Sequence, residues 1–102
     1  MTTAEILCAA RERIAISKRW AKGWWAYDVQ GNKCREDDPQ ARQWCSAGAV
    51  FAVSRSDGWA ALEVLAGVVP GRVSDFNDDA ATTHAEVLAA FDRAIAAAEA
   101  ES

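Results

Sequence analysis

The most constraining feature of this sequence is a complete helix signal near its end. Thr83-His84-Ala85-Glu86 has the form of a capping box, in which Thr83 caps the helix and Glu86 bonds back to the amide of the cap. Apolar residues then recur every three or four positions, which places them on one helix face. They are Val87, Leu88, Phe91, Ala94, Ile95 and Ala98. We therefore predict a helix over residues 83–100.

Similar signals predict three earlier helices. The first begins with Thr3 as its N-cap and stops at Gly23. The second begins at Asp38-Pro39, because proline suits the first position of a helix. The apolar spacing between such signals places these helices at residues 3–22, 39–54 and 58–69. Together with the last helix, they predict one all-α domain of four helices over residues 1–102.

The stretch between the first two helices has a different character. Residues 24–38 begin with aromatic and β-branched residues and contain a turn signal at Gln30-Gly31-Asn32, so we expect a short hairpin or β-like arm. Alanine accounts for 23 of the 102 residues, so a core needs the larger side chains. We therefore expect the five Trp rings to be core. The alternative is that residues 18–25, where basic residues and Trp interleave, bind nucleic acid or a membrane surface.

The charges are unevenly distributed. Residues 1–35 hold seven Lys/Arg against three Asp/Glu, and residues 36–102 hold four against twelve, for a net charge of −4. Nucleic acid is thus an unfavoured partner, with any contact confined to the basic first third. Another protein, with a basic surface, is the expected partner, unless the charges merely solvate helix faces.

The cysteines and the apolar runs indicate the compartment. Cys8, Cys34 and Cys45 are odd in number and lack CxxC spacing, which favours reduced thiols in a cytoplasm. No apolar run approaches the roughly 18 residues of a membrane span, and we expect no signal peptide. Phosphate-loop, hydrolase and zinc motifs are not found, so no cofactor is expected.

One catalytic alternative is a Cys/His-dependent enzyme that uses Cys45 and His84, with Asn77 or Asp78 orienting the imidazole. A nucleophilic thiol is best placed at a helix N-terminus. Cys45 is instead predicted about two turns into the helix over residues 39–54, facing inward. His84 is expected to be neutral and hydrogen-bonded. We therefore favour a buried structural cysteine and a satisfied histidine.

A second alternative is a calcium loop. Its ligands would be Asp75, Asn77, Asp79 and Glu86, at positions 1, 3, 5 and 12 of the loop pattern. Position 6 should be glycine and is Ala80, and Glu86 already belongs to the capping box. We favour an acidic loop whose side chains bond to local amides.

Three stretches carry a resemblance. They are Arg42-Gln43-Trp44-Cys45-Ser46-Ala47-Gly48-Ala49, then Phe76-Asn77-Asp78, then the segment from Thr83 to Ile95 with its T-H-x-E-V-L and D-x-A-I motifs. Over about residues 5–97, the chain resembles a family of small, uncharacterised bacterial and phage-associated domains. Phe76 stands where Trp is usual. The family has no assigned activity, so the resemblance implies a fold and a context without a mechanism.

The resemblance also groups a constellation that links the second helix to the start of the last one. Its members are Trp44, Cys45, Gly48, Asn77, Asp78, Thr83 and His84. Such a cluster can be a fold-specifying network or a small-ligand pocket, and we favour the network. Glycine is costly inside a helix, so Gly48 indicates that another backbone segment approaches closely there.

These observations predict a small cytoplasmic accessory protein, of phage or prophage origin, that acts without catalysis by binding another macromolecule. The Cys/His enzyme and a small-ligand or metal-binding domain are the alternatives.

Overall fold

The computed structural model describes residues 1–101, which form five α-helices and one three-stranded antiparallel sheet. The predicted all-α fold is therefore wrong, and the fold is mixed α/β. In chain order the elements are α1 (Thr3–Arg13), β1 (Ala26–Asp28), β2 (Lys33–Cys34), β3 (Ala41–Trp44), α2 (Ser46–Val53), α3 (Gly58–Ala66), α4 (Val73–Asp78) and α5 (His84–Ala100).

The first helix is shorter than predicted. Its N-cap is Thr2, which forms a capping box with Glu5, and the helix ends at Arg13 instead of residue 22. A 3-10 turn follows, and Ala21 N then donates to the Trp44 carbonyl at 3.0 Å. The chain after α1 thus runs beside β3, and a bond between distant segments replaces the helical bonds that local spacing predicted.

The predicted helix over residues 39–54 is wrong in its first half. Asp38 starts a turn, in which its carbonyl accepts from Ala41 N at 2.9 Å. Residues 41–44 then form β3, which pairs with β1 in the register Ala26↔Trp44. Ala41 and Trp44 have helical spacing, yet they pair with Asp28 and Ala26, which are two residues apart on β1. The register shift between Tyr27 and Asp28 therefore places both buried ends of β3 on one side of the sheet.

The sheet has the strand order β2-β1-β3. The predicted hairpin is present as β1 and β2, with Gly31 at a φ of +82° in the turn between them. The third strand, which the sequence did not predict, extends this hairpin into a sheet and leads directly into α2.

The helices enclose the apolar core. Helix α1 packs against α5, α2 and α3, and its Ile6 and Leu7 are buried together with Leu65 of α3 and Phe91 of α5. Helix α5 begins as predicted, with Thr83 as its cap and Glu86 completing the capping box. Helix α3 ends at Ala66, before the predicted residue 69, and α4 lies in the stretch that was predicted to be a loop. No helix within residues 1–101 has both the length and the apolarity needed to cross a membrane.

Candidate functional site

Asn77 is the centre of the polar cluster that the sequence predicts. Its side chain is fully buried, and its Oδ1 accepts from Trp20 Nε1 at 2.7 Å and from the N and Oγ of Ser46 at 3.0 and 2.6 Å. Its Nδ2 donates to the Ala21 carbonyl at 3.0 Å and to Asp78 Oδ1 at 2.9 Å. Protein groups thus occupy the whole hydrogen-bonding capacity of this amide. Such saturation supports the network interpretation of Asn77.

The chain after α1 is tied to the chain around α4 by three more bonds. Gly23 N donates to Asp78 Oδ1 at 2.8 Å. Lys22 Nζ donates to the carbonyls of Asp79 and Thr82 at 2.5 and 3.0 Å. Trp20, Lys22 and Ser46 also belong to this cluster but were not predicted, because their partners lie far away along the chain and no local pattern marks them.

His84, the first residue of α5, bonds elsewhere. Its Nε2 lies 2.7 Å from the Ile14 carbonyl, and its ring centroid lies 5.7 Å from that of Trp20. Because a carbonyl can only accept, Nε2 carries a proton in this contact. Over residues 1–101, no hydrogen bond joins His84 to Cys45 or to either residue expected to orient its imidazole.

Cys45 is the N-cap of α2, so its predicted position two turns inside a helix is wrong. Its Sγ accepts from Gly48 N at 3.2 Å. A helix N-terminus favours a thiolate, but burial has the larger effect and raises the pKa of the Cys45 thiol, and the Asp78 charge acts in the same direction. The thiol is therefore kept protonated rather than activated as a nucleophile.

A small cavity of about 210 Å³ lies beside this cysteine. Cys45, Asn77 and Asp78 line it together with Trp24 and Trp25. Three of the predicted residues therefore meet, whereas the other members of the constellation lie outside this cavity. Those others are Trp44, Gly48, Thr83 and His84. The Nε1 of Trp44 donates instead to the Glu36 carbonyl.

The four residues of the calcium-loop alternative are not arranged as a loop. Asp75 and Asn77 lie within α4, and Glu86 accepts from Thr83 N at 3.1 Å in the capping box. Asp79 accepts from Ala81 N at 2.8 Å. In the part of the chain that the structure describes, no group of three or more His, Cys, Asp or Glu side chains is placed to hold a metal ion.

The Trp residues depart most from expectation. Trp44 is buried and Trp20 is half-buried, but Trp24, Trp25 and Trp59 are 41%, 39% and 68% exposed. The prediction that all five rings belong to the core is therefore wrong for these three. They border a single cleft of about 620 Å³.

This aromatic cleft consists of Trp24, Trp25, Phe51 and Trp59 together with Lys33, Cys34, Arg35, Glu36 and Arg55. Phe51 is buried, and its ring contacts two of the exposed rings, with centroids 5.8 Å from that of Trp25 and 4.9 Å from that of Trp59. The Phe51–Trp59 pair meets edge to face, a favoured geometry for aromatic rings. A β-carbon on Gly58 would lie 2.7 Å from Phe51, so the glycine makes room for this ring.

Backbone contacts hold Trp25 in place. Its carbonyl accepts from Cys45 N at 3.2 Å. The same carbonyl lies so close to Gly48 that a β-carbon on residue 48 would overlap it. The predicted close approach of another backbone segment at Gly48 is thus confirmed. Since α2 also carries Phe51, this contact brings the Trp25 ring to the Phe51 ring.

The cleft carries an excess of positive charge. Arg55 pairs with the buried carboxylate of Glu36, and Arg35 pairs with Asp37 at 3.0 Å. Lys33 Nζ lies 4.8 Å from the centroid of the Trp24 ring, and across residues 1–101 it forms no salt bridge. One ammonium group at the rim is therefore available to a ligand.

The comparisons with known proteins bear on the family alone. No curated protein and no solved structure matches the chain. A family model described as "Family of unknown function (DUF6197)" matches residues 1–97, a span that contains the Asn77 network and the aromatic cleft. Kinship with an uncharacterised family, as the motifs indicated, is confirmed. The chain belongs to this family of unknown function.

Proposed function

We propose that this is a non-enzymatic binding protein whose aromatic cleft contacts another protein. The observation that carries the proposal is the concentration of three exposed Trp rings around one cleft. Contiguous exposed apolar surface marks interaction sites in soluble proteins, and Trp is among the residues that contribute most to binding at interfaces. Arginine, also favoured at interfaces, borders the cleft at two positions.

The geometry favours binding over the Cys/His alternative. Burial raises the pKa of the Cys45 thiol, and the His84 ring nitrogen is used in a bond to the Ile14 carbonyl. Asn77 has no unused hydrogen-bonding group with which to orient a catalytic base. A nucleophile needs an adjacent, correctly oriented base, and these placements do not supply one.

The cellular setting is part of the same proposal. We place the protein in the cytoplasm, which is supported by three free cysteines among the described residues, Cys8, Cys34 and Cys45. An accessory role in a phage or prophage context rests on the resemblance of the sequence motifs alone.

Affinity capture with matched variants tests the proposal. Trp59→Ser removes the most exposed ring of the cleft, and Val29→Ser removes an exposed side chain outside it. Wild type and Val29→Ser should retain a stoichiometric protein partner from native lysate that Trp59→Ser loses, while all three show the same circular dichroism. Equal capture by both variants, or no stoichiometric partner for wild type, would contradict the proposal.

A further inference from the structure

We infer that the partner presents an extended peptide segment to this cleft, with a large apolar side chain among the rings and a neighbouring carboxylate on Lys33. This inference rests on the proposed function and adds the chemistry of the ligand. It is carried by three features of the cleft: the rings, the charge of its rim and the strand edge beside it.

The aromatic rings form the site for the large apolar side chain of the peptide, which we call the anchor. Phe51 is buried and lines the cleft, and the ring centroids of Trp25 and Trp59 lie 5.8 and 4.9 Å from its own. The cleft volume of about 620 Å³ lies in the range of ligand pockets and accepts one or two large side chains. An apolar side chain seated there would bury aromatic surface that is now in water.

The charged side chains at the rim of the cleft favour an acidic residue next to the anchor in the peptide. Arg55 and Arg35 are already paired with Glu36 and Asp37, so the unpaired ammonium of Lys33 is the group that a carboxylate can neutralise. The chain as a whole has a net charge of −4. That charge repels a polyanion at long range, which favours a peptide with one or two carboxylates over single-stranded nucleic acid.

The strand edge supplies the main-chain contacts. In the order β2-β1-β3, strand β2 has a neighbour on one side only. The outer side of β3 is already occupied, because Trp20 forms a bridge with Trp44 and Ala21 N donates to the Trp44 carbonyl. Strand β2 is thus the open edge of the sheet, and its residues Lys33 and Cys34 border the cleft. An extended peptide can pair with such an edge and direct alternate side chains into the adjacent pocket.

The same edge disfavours a second copy of this chain. A symmetric pairing of β2 with β2 would bring Lys33 and Arg35 of both copies close to the two-fold axis. Like charges facing each other across paired strands are destabilising. Because β2 has only two residues, main-chain bonds are few, and the anchor among the rings must provide most of the affinity.

The test is selection from a random decapeptide library displayed on phage, using the full chain and counter-selecting on Trp59→Ser. Enriched sequences should share a large apolar residue with Asp or Glu within two positions. For the synthetic consensus peptide, fluorescence anisotropy should show an affinity loss of about thirtyfold for Trp59→Ser and about tenfold for Lys33→Glu, with Val29→Ser unchanged. Proline on either side of the anchor should weaken binding about fivefold, because each substitution removes one main-chain donor while the anchor remains.

Three results would overturn the inference. They are the absence of enrichment over the counter-selection, a consensus without the apolar and acidic pair, and Trp59-dependent binding of an oligo(dT) of about 12 nucleotides in place of peptide. A cleft-dependent protein partner in the capture experiment, combined with no enriched peptide, would leave the proposed function standing and reject the extended segment.

Discussion

The backbone of Trp25 passes so close to Gly48 that no β-carbon fits between them. Helix propensity alone would make Gly48→Ala stabilising. We expect the opposite, a loss of about 2 kcal/mol or more in the free energy of unfolding, because the added methyl group must displace the Trp25 carbonyl. Denaturant unfolding followed by circular dichroism measures it. A Gly48→Ala protein as stable as wild type would contradict the contact.

Asn77→Asp tests the buried network with almost no change in shape. The new carboxylate oxygen would replace Nδ2 and face the carbonyl of Ala21 and the carboxylate of Asp78, so two bonds become repulsions. We expect a loss of about 3 kcal/mol in the free energy of unfolding. Asp75→Asn, on the exposed side of the same helix, should leave stability nearly unchanged. Equal unfolding midpoints for the two variants would argue against a network that requires the amide.

His84→Ala removes the side-chain donor to the buried residue Ile14. The carbonyl of Ile14 then lacks this partner, and we expect a loss of about 1 kcal/mol, or about 5 °C in Tm. His84→Gln retains an amide donor and should lose less. If thermal melting shows no difference between wild type and His84→Ala, the histidine has no structural role in this contact.

The three cysteines should react with iodoacetamide at different rates. Cys8 is exposed and should be labelled first. Burial raises the pKa of both the Cys34 and Cys45 thiols, which lowers their thiolate fractions near neutral pH. Their labelling should therefore increase as the pH rises toward these raised pKa values. Peptide mapping by mass spectrometry measures each rate, and preferential labelling of Cys45 at neutral pH would instead favour the Cys/His enzyme.

The raised pKa of Cys45 also determines the sign of its pH dependence. The folded chain holds the thiol proton more tightly than the unfolded chain does. The contribution of the Cys45 thiol to the free energy of unfolding is therefore fully present below the ordinary thiol pKa. It is lost as the pH rises through the raised pKa of the folded chain.

Local signals predicted those parts of the fold that depend on neighbouring residues. The start of α5 is the clearest case, because the Thr83–Glu86 capping box and the apolar stripe after it are complete within one segment. Residues 41–44 show the limit, since the spacing of Ala41 and Trp44 is helical and fits a strand only because the register of β3 against β1 shifts by one residue. Pairing with β1, which lies far away along the chain, makes them a strand.

The candidate site was harder to predict for a related reason. Trp59 was expected to be core, but the buried face of α3 consists of Gly58, Ala61 and Leu65. One residue after Gly58, Trp59 lies about 100° around the helix from that face, so the spacing itself places it toward solvent. In the structure, Trp59 remains 68% exposed at the start of the helix. The Asn77 cluster was found only in part, because its partners Trp20 and Ser46 are identified by tertiary contacts alone.

The fixation of Trp25 through its backbone has a consequence for how this protein can evolve. Its carbonyl bond to Cys45 N and its approach to Gly48 do not depend on which side chain residue 25 carries. Trp59, which also lines the cleft, is mostly in water and contributes little to the core. Mutation can therefore exchange the exposed rings while the scaffold stays folded. Under the proposed function, duplicated copies would then acquire different partners without first losing stability.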